Sequence, residues 1–330
     1  MLTVLLFLAV CFFAFTNGAN ANFKGVASLY GSGTTSLRGA LYWGTAMTFA
    51  GSLAALFLAQ GILDHLGFHS AEMLKRFSGN KIVPSSLAQM PEILTAVALG
   101  AACTSFLATR FGFPVSTTHA LVGALVGAGL SGSGSAINFT EVAWKFVFPL
   151  CFSPVVSAVL GSAVYGLAKL FGGFPKKRNP WLDGLHCASA GAASFARGLN
   201  DTPKMVALLL VITSFDSRWA FLTVAICIAL GGLLDAEKVA ETLGKKVTDL
   251  DPGQGFAASV VTAGLVTTAS LHSLPVSTTH VSVGSLIGIG AVTRQAHWRK
   301  AFEILLAWIS TVPCAAVIAA VAFQVIVRLL

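Results

Sequence analysis

The chain has 330 residues, of which 55% are hydrophobic and only 10% charged, with a mean hydropathy of +0.79 and a formal net charge of +8. An average soluble domain carries roughly 25% charged residues, so this composition excludes a soluble globular protein and defines a polytopic membrane protein. The positive balance does not signal nucleic acid. Its Lys and Arg residues fall in short connectors (Lys75, Arg76 and Lys81; "PKKR" at 175–178; Lys245 and Lys246; "RQAHWRK" at 294–300), as expected of cytoplasmic loop ends.

Crossing roughly 30 Å of hydrocarbon takes about 20 apolar residues as helix. The first such run, 1–17, lacks a basic n-region and reads as a membrane segment, although "ANA" at 19–21 resembles a signal cleavage site. Directly after it "GANANFK" (18–24) places a lysine, Lys24, at the end of uncharged sequence. Apolar runs follow at 37–63 and 92–111, then a shorter Gly-rich run at 114–131, then 142–171. The stretch "GGFPKKRNPW" (172–181) interrupts them with Gly, Pro and three basic residues. It divides the chain into a first repeat (1–171), a cytoplasmic linker (172–181) and a second repeat (182–330), with the uncharged N-terminus outside. The second repeat holds runs at 183–212, 218–235, 255–273, a Gly-rich one at 275–293, and 301–329. No alternating ten-residue segments appear, so the protein is read as all-α. The six cysteines lie inside apolar runs without a CxxC pair and read as small buried residues.

Two motifs recur. "PVSTTHALVGALVGAG" (114–129) aligns with "PVSTTHVSVGSLIGIG" (275–290) without a gap, identical at eleven of sixteen positions. "GANANFK" (18–24) aligns with "GLNDTPK" (198–204) through Gly18/Gly198, Asn20/Asn200 and Lys24/Lys204. Each half thus carries the same two motifs in the same order, within about five hydrophobic segments. An odd number of crossings turns the second half upside down, which predicts an inverted repeat with a substrate site between broken or re-entrant helices at its centre.

The chemistry of the motifs points to an anion. Pro114 and Pro275 open short helices, and Ser116, Thr117, Thr118 with Ser277, Thr278, Thr279 bring hydroxyls and unpaired N–H groups to the positive end of each dipole. A single "STTH" would read as an ordinary N-cap; its duplication at matching positions makes it part of a site. Charged groups at membrane depth mark a pathway, so Asn20, Lys24, Asn200 and Lys204 join the set as anion ligands. Asp201 with Asn200 forms a candidate Na⁺ site through oxygen. Pro203 predicts a break in the second helix. Gly123 and Gly127, repeated as Gly284 and Gly288, give close helix packing. His119 and His280 read first as hydrogen-bonded structural residues and second as a proton relay.

At these residues the sequence resembles the inorganic phosphate transporter (PiT) family of secondary transporters, over essentially the whole chain, including "AETLGKKVTDLDPGQGF" (240–256). The resemblance implies a multi-pass protein of the cell membrane with inverted repeats, a central phosphate site, alternating access and symport with Na⁺ or H⁺, without other cofactors. It also keeps sulfate as the alternative anion, since sulfate permeases belong to the same family. The family signature carries Asp and Asn where the first half has Ala21 and Lys24, a local change of two positive charges that suggests Lys24 in place of a sodium ion. A passive anion channel is the third reading, and the broad apolar surface suits a homodimer. An enzyme is not expected: every Ser/Thr/His set is duplicated, and HExxH, GxSxG and Walker A patterns are absent.

Overall fold

The computed structural model describes residues 1–60, 74, 77, 79, 81–133, 137–175, 179–210 and 215–329. Lys75, Arg76, residues 61–63 of the second apolar run and 176–178 of the basic linker lie outside them. Among the described residues there are ten long helices: α1 Leu2–Ala21, α2 Leu37–Ala59, α3 Pro91–Arg110, α4 Thr117–Ser133, α5 Phe148–Leu170, α6 Pro180–Leu209, α7 Ser217–Leu234, α8 Pro252–Leu271, α9 Thr278–Thr293 and α10 Trp298–Leu329. The protein is an all-α polytopic membrane protein.

The helix starts follow local chemistry. Prolines fill the first turns of α3, α6 and α8, where no backbone donor is lost. Asp251 and Gln254 form a reciprocal capping box at α8. Ser116 and Ser277 cap α4 and α9, accepting from the His119 and His280 amides at 3.2 and 3.3 Å.

Among the described residues seven helices are long and apolar enough to cross a membrane: α1, α2, α3, the one running from Phe139 through α5, α7, α8 and α10. The other three carry or flank the duplicated motifs. Helices α4 and α9 are short, 17 and 16 residues, and α6 is diluted by its polar centre. Polar content and short length therefore fall together on the elements that build the middle of the protein.

Five helices per half pack by one plan. Helix α1 packs on α3 and α7, as α6 packs on α8 and α2; α4 packs on α3 and α10, as α9 packs on α8 and α5. The crossings are glycine contacts. A side chain on Gly18 would meet the Ile228 carbonyl of α7, and one on Gly198 would meet the Thr48 carbonyl of α2. Gly127 and Gly288 likewise sit against the backbones of Ala316 and Ala158. The repeated GxxxG spacing therefore fixes α4 to α10 and α9 to α5, away from the polar centre.

Two expectations change. Helix α6 runs through Pro203 without interruption; the missing N–H costs one main-chain bond, and α2 and α8 packed alongside hold the helix together. The break lies in the first half, where α1 gives way to a 3₁₀ turn at Asn22–Gly25 and a short helix at Ala27–Gly31. All six cysteines are free, but none is fully buried, and Cys151 and Cys314 are exposed. They share the apolar outer surface with residues such as Phe152, Val155 and Val317.

Candidate functional site

The end of α1, the middle of α6 and the starts of α4 and α9 meet at one point. Lys24 Nζ donates to the Val115 carbonyl at 2.7 Å, in the loop that leads into α4. Lys204 Nζ reaches the Val276 carbonyl at 3.4 Å, in the loop that leads into α9. The threonines cross between halves: Thr279 Oγ1 donates to Val115 O at 2.8 Å, and Thr118 Oγ1 to Val276 O at 3.4 Å. Each lysine therefore shares its carbonyl with a hydroxyl from the opposite repeat. This reciprocity ties the loop before α4 to the loop before α9.

The remaining contacts are unequal. Asp201 accepts from Lys204 Nζ at 3.0 Å through Oδ1, and its Oδ2 lies 3.6 Å from Arg197 Nε. Lys204 also donates to Thr118 Oγ1 at 3.0 Å. Among the described residues no carboxylate lies within ion-pair distance of Lys24. Asn20 is fully engaged as a brace: its amide donates to Thr109 Oγ1 and the Phe113 carbonyl, and its Oδ1 accepts from Val115 N. Asn200 Nδ2 donates to Val276 O at 3.2 Å and Asp201 Oδ1 at 3.4 Å, while its Oδ1 is buried without a hydrogen-bond partner among the described residues.

Thr117 Oγ1 accepts from Asn17 Nδ2 at 2.6 Å, and its counterpart Thr278 is buried in the first turn of α9. Ser116 and Ser277 act as caps, as noted. His119 and His280 lie ring to ring at 4.7 Å, with Trp308 4.0 Å from His280. His280 Nδ1 lies 2.8 Å from the Leu150 carbonyl, and both rings line an otherwise apolar cavity of about 360 Å³. The structure thus joins Lys24, Thr118, Asn200, Asp201, Lys204 and Thr279 into one cluster by hydrogen bonds in which neither histidine takes part.

Arg197, Asn17 and Asn22 were not anticipated. Arg197 donates to Asn17 Oδ1 at 2.6 Å and to Asn22 Oδ1 at 3.3 Å. The signal was available: Arg197 is a charge in the middle of an apolar run, one helical turn before Asp201. In the repeat alignment its partner position is Asn17, which it touches.

Lys24, Arg197, Asp201 and Lys204 are 3%, 1%, 2% and 0% exposed. With all four side chains ionised, three cations against one carboxylate would leave two positive charges in excess, in a place where an uncompensated charge is expensive. The positive ends of α4 and α9 add to the same field. Beside Lys24 a narrow cavity is lined by Ser28, Ser259, Thr262, Ser282 and Ser285. Among the described residues no three His, Cys, Asp or Glu side chains gather as a metal cluster.

A multi-pass helical bundle with buried basic side chains gathered between two helix starts fits a membrane transport protein. The chain belongs to the phosphate transporter family, whose family model matches residues 17–179 and 172–319. It is 30% identical to a probable low-affinity inorganic phosphate transporter of Rhizobium meliloti, over 94% of this chain and 92% of that protein. A protein of the same description from Bacillus subtilis is 25% identical, over 99% of this chain and 97% of its own. A solved structure titled as the sodium-dependent phosphate transporter has the same fold, with a TM-score of 0.85 at 21% identity and full coverage of both chains.

Proposed function

We propose that this chain is a secondary active carrier that moves inorganic phosphate across the cell membrane by symport with Na⁺ or H⁺, its two repeats inverted and rocking about the central site. The observation that carries the reading is the excess of two positive charges at Lys24, Arg197 and Lys204 around Asp201. A divalent oxyanion neutralises that excess, and the hydroxyls of Thr118 and Thr279 lie on the same two carbonyls as the lysines. The relatives named for phosphate transport support the choice of anion. Five helices in each half, with matched packing, support the inversion.

Phosphate is favoured over sulfate by Asn200. Its unpaired Oδ1 can accept from a P–O–H group, and sulfate offers no donor. The test is uptake of labelled phosphate by proteoliposomes. Accumulation above the external concentration under an imposed Na⁺ or H⁺ gradient supports a carrier; flux only down the phosphate gradient makes the protein a channel, and accumulation of sulfate alone removes the phosphate reading.

A further inference from the structure

The Arg197 guanidinium sits in a shell of five oxygens from four helical segments. Its Nη2 donates to Asn17 Oδ1 at 2.6 Å and to the Asn17 carbonyl at 3.3 Å. Its Nη1 donates to Asn22 Oδ1 and Thr48 Oγ1, each at 3.3 Å. Its Nε faces Asp201 Oδ2 at 3.6 Å. Two amide oxygens, a hydroxyl, a main-chain carbonyl and a carboxylate are the donor set of a hard cation. Here the cation is part of the chain, and a guanidinium holds its charge at any physiological pH.

Lys204 completes the occupation. Its ammonium takes the other Asp201 oxygen together with Thr118 Oγ1. Both oxygens of the cluster's carboxylate therefore already face fixed cations. A sodium ion would have to displace one of them, and would raise the local excess from two positive charges to three. The residues present do not fit a bound sodium. Lys24, which the sequence suggested for the role of a replaced ion, meets one backbone carbonyl and stands outside this shell.

We infer that Arg197 is a tethered counter-cation: its guanidinium occupies the oxygen shell in which a coupling cation would be held, so that this carrier translocates a doubly charged oxyanion with no sodium requirement. The inference rests on the phosphate reading for its choice of tracer. Proton coupling is the form of symport that remains.

Initial rates of labelled phosphate uptake into proteoliposomes are compared in sodium, potassium and choline media at fixed pH and membrane potential. Wild-type rates should agree within about twofold, the scatter of an interaction that contributes nothing to the rate-limiting free energy. Stimulation by sodium of about tenfold or more, equivalent to a bound ion's contribution, overturns the inference while leaving the phosphate reading intact.

The second measurement is the melting of purified protein in sodium against potassium. Wild-type melting should not change, whereas Arg197→Ser, which empties the shell, should be stabilised selectively by sodium. Sodium stabilisation of the wild type, or no sodium response in a folded Arg197→Ser protein, refutes the role given to Arg197. If that variant does not fold, the wild-type sodium response decides. If no medium supports phosphate uptake, the phosphate reading falls, and the melting comparison still judges the tethered cation.

Discussion

Replacing Asn200 by Ala should erase the protein's preference for phosphate over sulfate. The Asn200 amide is oriented by its Nδ2, which donates to Val276 O at 3.2 Å and Asp201 Oδ1 at 3.4 Å. That leaves Oδ1, fully buried in the cluster, as an acceptor with no donor among the described residues. A buried acceptor left unpaired costs about 1–3 kcal/mol. Hydrogen phosphate supplies the missing donor, whereas sulfate leaves the cost in place. At about 1.4 kcal/mol per factor of ten, discrimination should be roughly 5- to 150-fold in the wild type. The assay is displacement of labelled phosphate from purified protein by unlabelled phosphate and by sulfate. Asn200→Ala should weaken both and bring the two displacement curves together. A folded variant that keeps the wild-type ratio refutes the reasoning, because discrimination would then reside elsewhere.

Lys24→Met removes a buried cation from the anion's surroundings and should cost roughly 2–5 kcal/mol of anion binding, read as a KM for phosphate uptake raised at least about 30-fold. Asp201→Ala leaves Arg197 and Lys204 without their shared carboxylate and should destabilise the protein by about 3–5 kcal/mol, measured by thermal melting in detergent, with uptake abolished. Gly127→Leu drives a side chain into the Ala316 backbone and should lower melting stability by about 1–3 kcal/mol or more without altering the anion preference of the folded fraction. His119→Phe should preserve uptake and its pH profile, since the ring packs against His280 at 4.7 Å in a largely apolar cavity; a lost acid or alkaline limb in the rate profile would restore the proton-relay role.

Much of this arrangement is legible in the sequence because duplication leaves a trace. The paired "PVSTTH" motifs mark the starts of α4 and α9, and Lys24 and Lys204 do meet equivalent carbonyls, Val115 and Val276. Residue type alone did not separate ligand from brace. Asn20 and Asn200 align, yet one amide holds a loop by three hydrogen bonds and the other keeps an open acceptor. That difference comes from a neighbour, Asp201, which draws Asn200 toward itself where Ala21 draws nothing. Arg197 is not marked by duplication, because its counterpart in the first half, Asn17, is uncharged. Pro203 misled for a physical reason of its own: proline costs a helix one bond, and a helix packed on both sides tolerates that cost.

The twofold plan of the packing makes the chemical inequality of the two lysines more informative. The cavity beside Lys24 is lined by Ser28, Ser259, Thr262, Ser282 and Ser285. Under the repeat alignment those five positions become Leu208, Ala98, Ala101, Leu121 and Ala124, all of them buried in one hydrophobic cluster. Phe77, from that same cluster, lies with its ring centre 5.7 Å from Lys204 Nζ. Hydroxyls can exchange hydrogen bonds with a departing anion, and alkyl groups cannot. Polar side chains therefore border Lys24 in its cavity, whereas the apolar ring of Phe77 lies against Lys204. The same asymmetry orders the charges, since Lys204 is compensated by Asp201 whereas Lys24 is within ion-pair distance of no carboxylate among the described residues. Under the proposed function, an anion held at the centre would meet its least compensated basic side chain on the side where hydroxyls line the cavity.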